Sequence, residues 1–445
     1  MHDWINDAVF YHIYPLGFCG APAHNDFHSP AVHRLDHVTG WLDHLENLGI
    51  TALYLGPLFE SSTHGYDTVD YYHVDRRLGN NDTLKRLVAA AHARGMRVVL
   101  DGVFNHVGRD FWAFRDLCEH GANSAYRDWF HGVRFGERSK YGDPFSYSAW
   151  EGHYSLVKLN LANPAVREHL LGAVARWRDE FEIDGLRLDA ADQVDPAFWR
   201  ELSAFCGDTF WLMGEIIHGD YRQWANPAML HSVTNYECYK GLWSSHVDRN
   251  YFEIAYALNR QFGAGGLYRD LPLYNFADNH DVDRVASQVA NSAHLYPLYA
   301  LLFTMPGVPS IYYGSEWGLT GRKSNGSDAP LRPFLQSPAD VAHTAPQPDL
   351  AAAIRRLIAL RRRLPALQQG DYRQLAVDHE QFVFARGDVI VAVNAAGHAA
   401  PVEFDLPASG ARLVDELNPP DTFPIQGRRG RVEVPPCWAR VLRLA

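Results

Sequence analysis

Short apolar, β-branched runs alternate with amphipathic helical stretches along most of this chain, and few architectures can absorb that alternation. Strand, helix and strand in succession bury all their apolar faces in a parallel sheet covered by helices. The pattern predicts strand one over 9–16 with its helix over 31–48, strand two over 51–57, and a helix from Asp82 to Ala93 that Arg94-Gly95 ends. Strand three is Arg97 to Phe104. Strands four and five close at Asp189 and Glu215, strand six covers His231 to Tyr236, strand seven ends near Asp281, and strand eight is Ser310 to Tyr313. Eight such units imply an α/β fold, a (β/α)8 TIM barrel, whose working rim lies at the C-terminal ends of its strands.

Two stretches break the rhythm. After strand three no convincing helix begins until Ala165 to Phe181, so residues 107–161 are read as an inserted subdomain, rich in aromatics (Trp112, Trp129, Phe130, Phe145, Tyr147, Trp150, Tyr154). A helix from Asp349 to Leu367 closes the barrel, with Arg355, Arg356, Arg361, Arg362 and Arg363 read as a solvated face. Beyond Gly370, alternating short strands punctuated by Gly, Pro and Asp read as a C-terminal β-sandwich. The expected division is a barrel over 1–106 and 162–370, the insertion over 107–161 and the sandwich over 371–445.

Composition narrows the class. With 445 residues, 47% hydrophobic and 21% charged, the chain is an ordinary globular one with room for a large core. A net charge of -11 offers no basic footprint for nucleic acid or an anionic membrane. Five scattered cysteines form no disulfide framework or zinc motif, and neither a leader nor a membrane-spanning segment is visible, so the expected location is cytoplasmic.

Three acids each follow a strand-like run: Asp189 after Gly185-Leu186-Arg187-Leu188, Glu215 after Phe210 to Gly214, and Asp281 after Phe276 to His280. A single acid there is most simply a helix cap or an ion-pair partner. Three in sequence, with basic and amide neighbours, point to glycosidic-bond cleavage, which needs one ionised and one protonated carboxyl. Arg187 shares a strand face with Asp189 and can hold it ionised, while Trp211, Leu212 and Met213 precede Glu215 and supply apolar surroundings.

Asp101-Gly102-Val103-Phe104-Asn105-His106, Gly185 to Asp189, the Glu215 strand and Asn279-His280-Asp281 together resemble the four ordered motifs of glycoside hydrolase family 13, the α-amylase family. The resemblance implies Asp189 as nucleophile, Glu215 as general acid and base, and Asp281 as stabiliser of the distorted sugar. It further implies substrate contacts from Asp101, His106, Arg187 and His280, and a stacking platform at Tyr66 within His64-Gly65-Tyr66-Asp67. Asp67, with Arg332 as its expected partner, is similar to family members that bind the non-reducing end of a short chain; a surface ion pair is the plain alternative.

Leu156-Val157-Lys158-Leu159-Asn160 is similar to a signature of the neopullulanase and cyclomaltodextrinase branch, although this chain is expected to lack that branch's N-terminal β-domain. The implied partners are cyclodextrins and maltooligosaccharides, cleaved at α-1,4 bonds with or without transglycosylation; the oligomeric state stays open. A glucosyltransferase or isomerase acting on sucrose-like disaccharides and a non-catalytic carbohydrate-binding barrel remain the alternatives. No cofactor is expected. Asn105 matches one calcium ligand of related amylases, but Gln193 replaces the His expected at the second, so calcium is not predicted.

Overall fold

The structure, a computed structural model, describes residues 3–324, 326–406 and 410–445. Eight parallel strands form the barrel: β1 (Phe10–Ile13), β2 (Ala52–Leu55), β3 (Arg97–Gly102), β4 (Gly185–Leu188), β5 (Trp211–Gly214), β6 (Ser232–Val233), β7 (Tyr274–Phe276) and β8 (Val308–Tyr312). Neighbours pair in sequence order, β8 joins β1, and the ring closes where Asn235 N–H donates to the Tyr274 carbonyl at 2.8 Å.

Strand periodicity explains what fills this ring. Successive side chains point to opposite faces, and here both faces are buried. Phe10, Tyr54, Val99, Trp211, Met213 and Tyr274 point inward and form one cluster, in which the Phe10 and Trp211 rings stack at 5.3 Å. The intervening Tyr11, Leu53, Val98, Leu100, Leu186 and Leu212 belong to the shell packed under the helices. Carried one step further along each strand, the inward phase delivers polar residues: His12, Asp101 and Arg187 are buried above the apolar plug.

Several elements depart from the sequence reading. The first helix is broken into Asp36–Thr39 and Leu42–Leu48, with no helix over 31–35. Strand six is shorter than expected, and Tyr236 opens the helix Tyr236–Val247, capped by the Asn235 side chain. Strand seven ends at Phe276, so Asp281 stands five residues beyond it in a loop. An unanticipated antiparallel hairpin, Phe59–Ser61 with Thr68–Val74, follows strand two and carries His64, Tyr66 and Asp67 at its tip.

The insertion is organised. His106–Gly108, His153–Lys158 and Ala149–Trp150 form a three-stranded sheet beside the helix Trp112–His120. Most of its aromatics serve its own small core: Phe130, Phe145 and Tyr147 are buried, and the Phe114 ring packs edge-on against Phe130 and Tyr147.

The C-terminal strands are β9 (Tyr372–Val377), β10 (Gln381–Arg386), β11 (Val389–Asn394), β12 (Ala400–Asp405), β13 (Arg412–Asp415), β14 (Thr422–Gln426), β15 (Arg429–Val434) and β16 (Trp438–Leu444). They are antiparallel in the order β9-β10-β11-β16-β13-β14-β15-β12 and fold over a core that includes Ile390, Val402, Phe404, Leu413 and Val432. The other face packs against the barrel through the helix Leu295–Thr304, which is buried almost all round.

One arginine reading is corrected. The helix predicted over 349–367 breaks at Leu364 before Pro365, and Arg361 does not lie on its solvated face. Arg361 is 1% exposed and donates to the carbonyls of Leu367 (2.8 Å), Gly307 (2.7 Å) and Phe303 (3.3 Å). It continues the buried ridge Ile354, Leu357, Ile358, and burial lowers its guanidinium pKa to about 10. Arg361→Met leaves three carbonyls without this donor and is expected to cost on the order of 3 kcal/mol, read as a lower midpoint in urea unfolding.

Candidate active site

Arg187 stands at the centre of the rim, 3% exposed, and touches three carboxylates. Its Nη1 donates to Asp101 Oδ1 (2.9 Å) and Asp189 Oδ1 (2.8 Å), and its Nη2 lies 2.8 Å from Glu215 Oε1. The strands explain the convergence. Asp101, Arg187 and Met213 are register partners on β3, β4 and β5 and point into the barrel; Asp189 and Glu215 each come two residues after an inward position. Ala190 then takes a left-handed conformation (φ 44°), uncommon for a residue with a side chain, and its N–H donates to Glu215 Oε2 at 3.1 Å.

The electrostatics differ from the sequence reading in two ways. Burial, followed by the charges of Glu215 and Asp101, outweighs Arg187 and raises the Asp189 pKa well above the ordinary carboxylate value. Glu215 is not wrapped in apolar side chains: Trp211 and Met213 fill the barrel below it, Leu212 points outward, and its own oxygens meet Arg187 and a backbone N–H.

The other predicted residues gather around this cluster. The Tyr66 hydroxyl donates to Asp101 Oδ2 (3.0 Å) and is hydrogen-bonded to His280 Nε2, and the two rings stack at 5.5 Å. His280 Nε2 also lies 2.8 Å from Asp281 Oδ2. Burial alone would raise the Asp281 pKa, but His280, Arg332 and Arg187 hold it far below the usual range. His106 Nε2, 4.0 Å from Asp189 Oδ2, has no hydrogen-bond partner in the protein, and burial lowers the ring's pKa to about 3, so it is neutral at ordinary pH.

The expected pairing of Asp67 with Arg332 is absent. Asp67 is turned back into its own loop, accepting from Thr63 Oγ1 (2.6 Å) and Gly65 N–H (3.2 Å), with His64 Nδ1 at 3.8 Å. Arg332 instead donates to Asp281 Oδ1 (2.8 Å), Asp328 Oδ2 (3.0 Å) and the His280 carbonyl (3.0 Å). It braces the third acid, while Asp67 shapes the turn that presents Tyr66.

Three residues passed over in the sequence belong to the site. Tyr14 donates to the His64 carbonyl (2.6 Å) and carries the Arg332 guanidinium 4.5 Å above its ring. It continues the phase of Phe10 and His12, a signal legible in the sequence. The Tyr236 hydroxyl accepts from Asn279 Nδ2 at 3.2 Å, within electrostatic reach of Glu215 and Asp281. Trp150, from the insertion, tilts against His106 at 5.7 Å. Around the expected calcium position, the Asn105 amide meets His106 Nδ1 (3.1 Å) and the Lys158 ammonium donates to the Gln193 carbonyl (3.4 Å). Among the described residues, no group of three or more His, Cys, Asp or Glu side chains is placed to hold a metal ion.

A (β/α)8 barrel with a carboxylate pair on a shared buried arginine, a third acid beside it and an aromatic ring at the mouth defines a carbohydrate-active enzyme of the glycosidase type. Residues 12–349 match the alpha amylase catalytic domain, and the chain belongs to the α-amylase family of glycoside hydrolases. It is 32% identical over 461 residues to a cyclomaltodextrinase from Geobacillus thermopakistaniensis (strain MAS1), covering 98% of this chain and 76% of that protein. The solved cyclic alpha-maltosyl-(1→6)-maltose hydrolase from Arthrobacter globiformis is similar at TM-score 0.81 and 29% identity, covering 100% of this chain and 99% of the other. The debranching enzyme from Nostoc punctiforme gives a TM-score of 0.83 at 29% identity, with the same coverage.

The bracing of Asp281 depends on a close approach at Gly17, after β1, where a Cβ would stand 2.1 Å from the Arg332 carbonyl oxygen. Gly17→Ala is therefore expected to displace Arg332 and lower kcat on the order of tenfold or more while the far-UV circular dichroism is unchanged, measured with whichever glucan the wild type cleaves best.

Proposed function

We propose that the protein is a retaining hydrolase of α-1,4-glucosidic bonds in cyclodextrins and maltooligosaccharides, working through a covalent glucosyl intermediate. The observation that carries this reading is the single Arg187 guanidinium in contact with both Asp189 and Glu215. A retaining enzyme needs its two carboxyls about 5 to 5.5 Å apart, and one arginine gripping both supports that spacing.

Asp189 attacks the anomeric carbon from one side of the ring. Glu215 gives its proton to the departing glucosidic oxygen, then takes one from the water that releases the sugar. The microstate with the proton on Glu215 leaves Asp189 ionised against Arg187, and it is the competent one. Asp281, kept ionised by His280 and Arg332, accepts hydroxyls of the distorted sugar, and the Tyr66 ring offers its face to the pyranose. His106 Nε2, His280 Nδ1 and Asn105 Oδ1, buried without a protein partner, are free to bond hydroxyls. Asp101 keeps Arg187 and the Tyr66 hydroxyl in place.

The relatives' names support cyclic and linear α-glucans as substrates. No helix among the described residues is long and apolar enough to cross a membrane. The five cysteines are free thiols, which suits the reducing cytoplasm where we place the enzyme.

Asp189→Asn and Glu215→Gln are each expected to lower kcat on β-cyclodextrin and maltotriose by roughly a thousandfold or more with the fold intact. Nuclear magnetic resonance of the wild-type reaction should show the first-formed product as the α-anomer. Because Asp189 must be ionised and its pKa is raised, wild-type kcat/KM should fall on acidification at a pH above the ordinary carboxylate value of about 4. Full activity in either variant, or a β-anomeric product, would sink the proposal.

A further inference from the structure

A groove of about 590 Å3 opens on the exposed side of Asp281 and runs away from the acid cluster. One wall is the helix Tyr236–Val247, which presents Tyr239, Trp243 and Val247 to it at four-residue spacing, a single stripe along one helical face. None of the three is fully buried, and Val247 at the far end is 37% exposed. Such a stripe usually seals a helix onto a core; Trp243 packs partly against the core, and Tyr239 stacks one ring face on Phe276 at 5.1 Å, which leaves its other face for the groove. Here the stripe also lines an open groove instead of being covered by another element.

The facing wall is built to stay in place. Asp283 accepts from the Lys323 N–H (2.8 Å) and from Arg322 Nη1 (3.3 Å), and Arg322 Nη2 also donates to the Ser287 carbonyl. Gln288 donates to the Tyr239 hydroxyl (3.2 Å) and the Asp283 carbonyl (2.9 Å), which fixes the tilt of the ring. The Lys323 ammonium, half exposed and paired with Asp328 at 3.0 Å, stands at the rim as a donor.

Aromatic rings in a row, with fixed polar groups opposite, match a pyranose chain, whose ring faces are apolar and whose edges carry hydroxyls. They match an extended peptide or a nucleic acid less well, since no sheet edge and no run of free cations lines the groove among the described residues. We propose that this groove is a track for the substrate's own glucosyl units beyond the one held at Asp281, with Tyr239 and Trp243 as successive platforms and Val247 as its outer end. The proposal rests on the reading of the rim as an α-glucan cleft. Its effect is on chain length: longer maltooligosaccharides gain affinity from the stripe, and the shortest do not reach it.

The test compares maltotriose with maltoheptaose in steady-state assays of the full chain. Trp243→Ala is expected to lower kcat/KM for maltoheptaose about tenfold more than for maltotriose, chiefly through KM, and Trp243→Phe to recover most of that difference. Val247→Asp, at the exposed end and away from the core, should penalise maltoheptaose several-fold relative to maltotriose even if Trp243→Ala fails to fold. Equal losses on both sugars in the folded variants, or no change in their ratio, overturn the track and leave the functional reading standing. A wild-type protein that cleaves neither sugar overturns the functional reading, and the track with it.

Discussion

Two buried carboxylates, Asp101 and Asp189, and the partly buried Glu215 around one buried arginine set the terms for the rest of this molecule. Asp101, Asp189 and Glu215 bring more negative charge to the barrel mouth than Arg187 can balance, and such a group persists in a low-dielectric place only if geometry and a retained proton relieve the excess. The apolar plug beneath keeps water from relieving it from below. The hydroxyls of Tyr54 and Tyr66 take up the second oxygen of Asp101, so that acid is committed to structure and the other two are left for chemistry.

Around this centre the site is layered. Arg187 and Asp101 stand on strands that cannot shift without disturbing the ring, and the two flanking acids follow directly after strand ends. Asp281, Tyr66 and His280 stand on loops and are tied to one another, Asp281 through Arg332 and His280 through the Tyr66 hydroxyl. The rigid layer carries the bond-making groups. The looped layer carries the groups that meet the shape of the sugar, where relatives of one family can differ without changing the reaction.

The barrel and its rim were legible in the sequence because strand alternation is strict. The phase that buries Val99 and Tyr54 also aims Asp101 and Arg187, and counting by two along β4 and β5 reaches Asp189 and Glu215. Loops carry no such phase. Asp67 and Arg332 were paired through the family resemblance, but the tight turn at residues 63–67 folds the carboxylate back onto its own loop, and Arg332 meets Asp281 instead. Arg361 was misread for a related reason: a run of arginines suggests a wet surface, whereas the spacing from Ile354, Leu357 and Ile358 places it on the dry ridge. Tyr14 was readable from the same alternation as Phe10 and His12. Tyr236 was not, because the chain leaves strand geometry at Asn235.

The contact between Gly17 and Arg332 joins the first loop of the barrel to the last. On a ribosome the two are synthesised more than three hundred residues apart, so Asp281 acquires its brace only when nearly the whole barrel has emerged. The helix Leu295–Thr304 then still needs the C-terminal strands to cover it. The rim therefore matures late in synthesis: a nascent or truncated chain can hold every acid in its sequence and yet lack a competent site, which couples the appearance of activity to completion of the polypeptide.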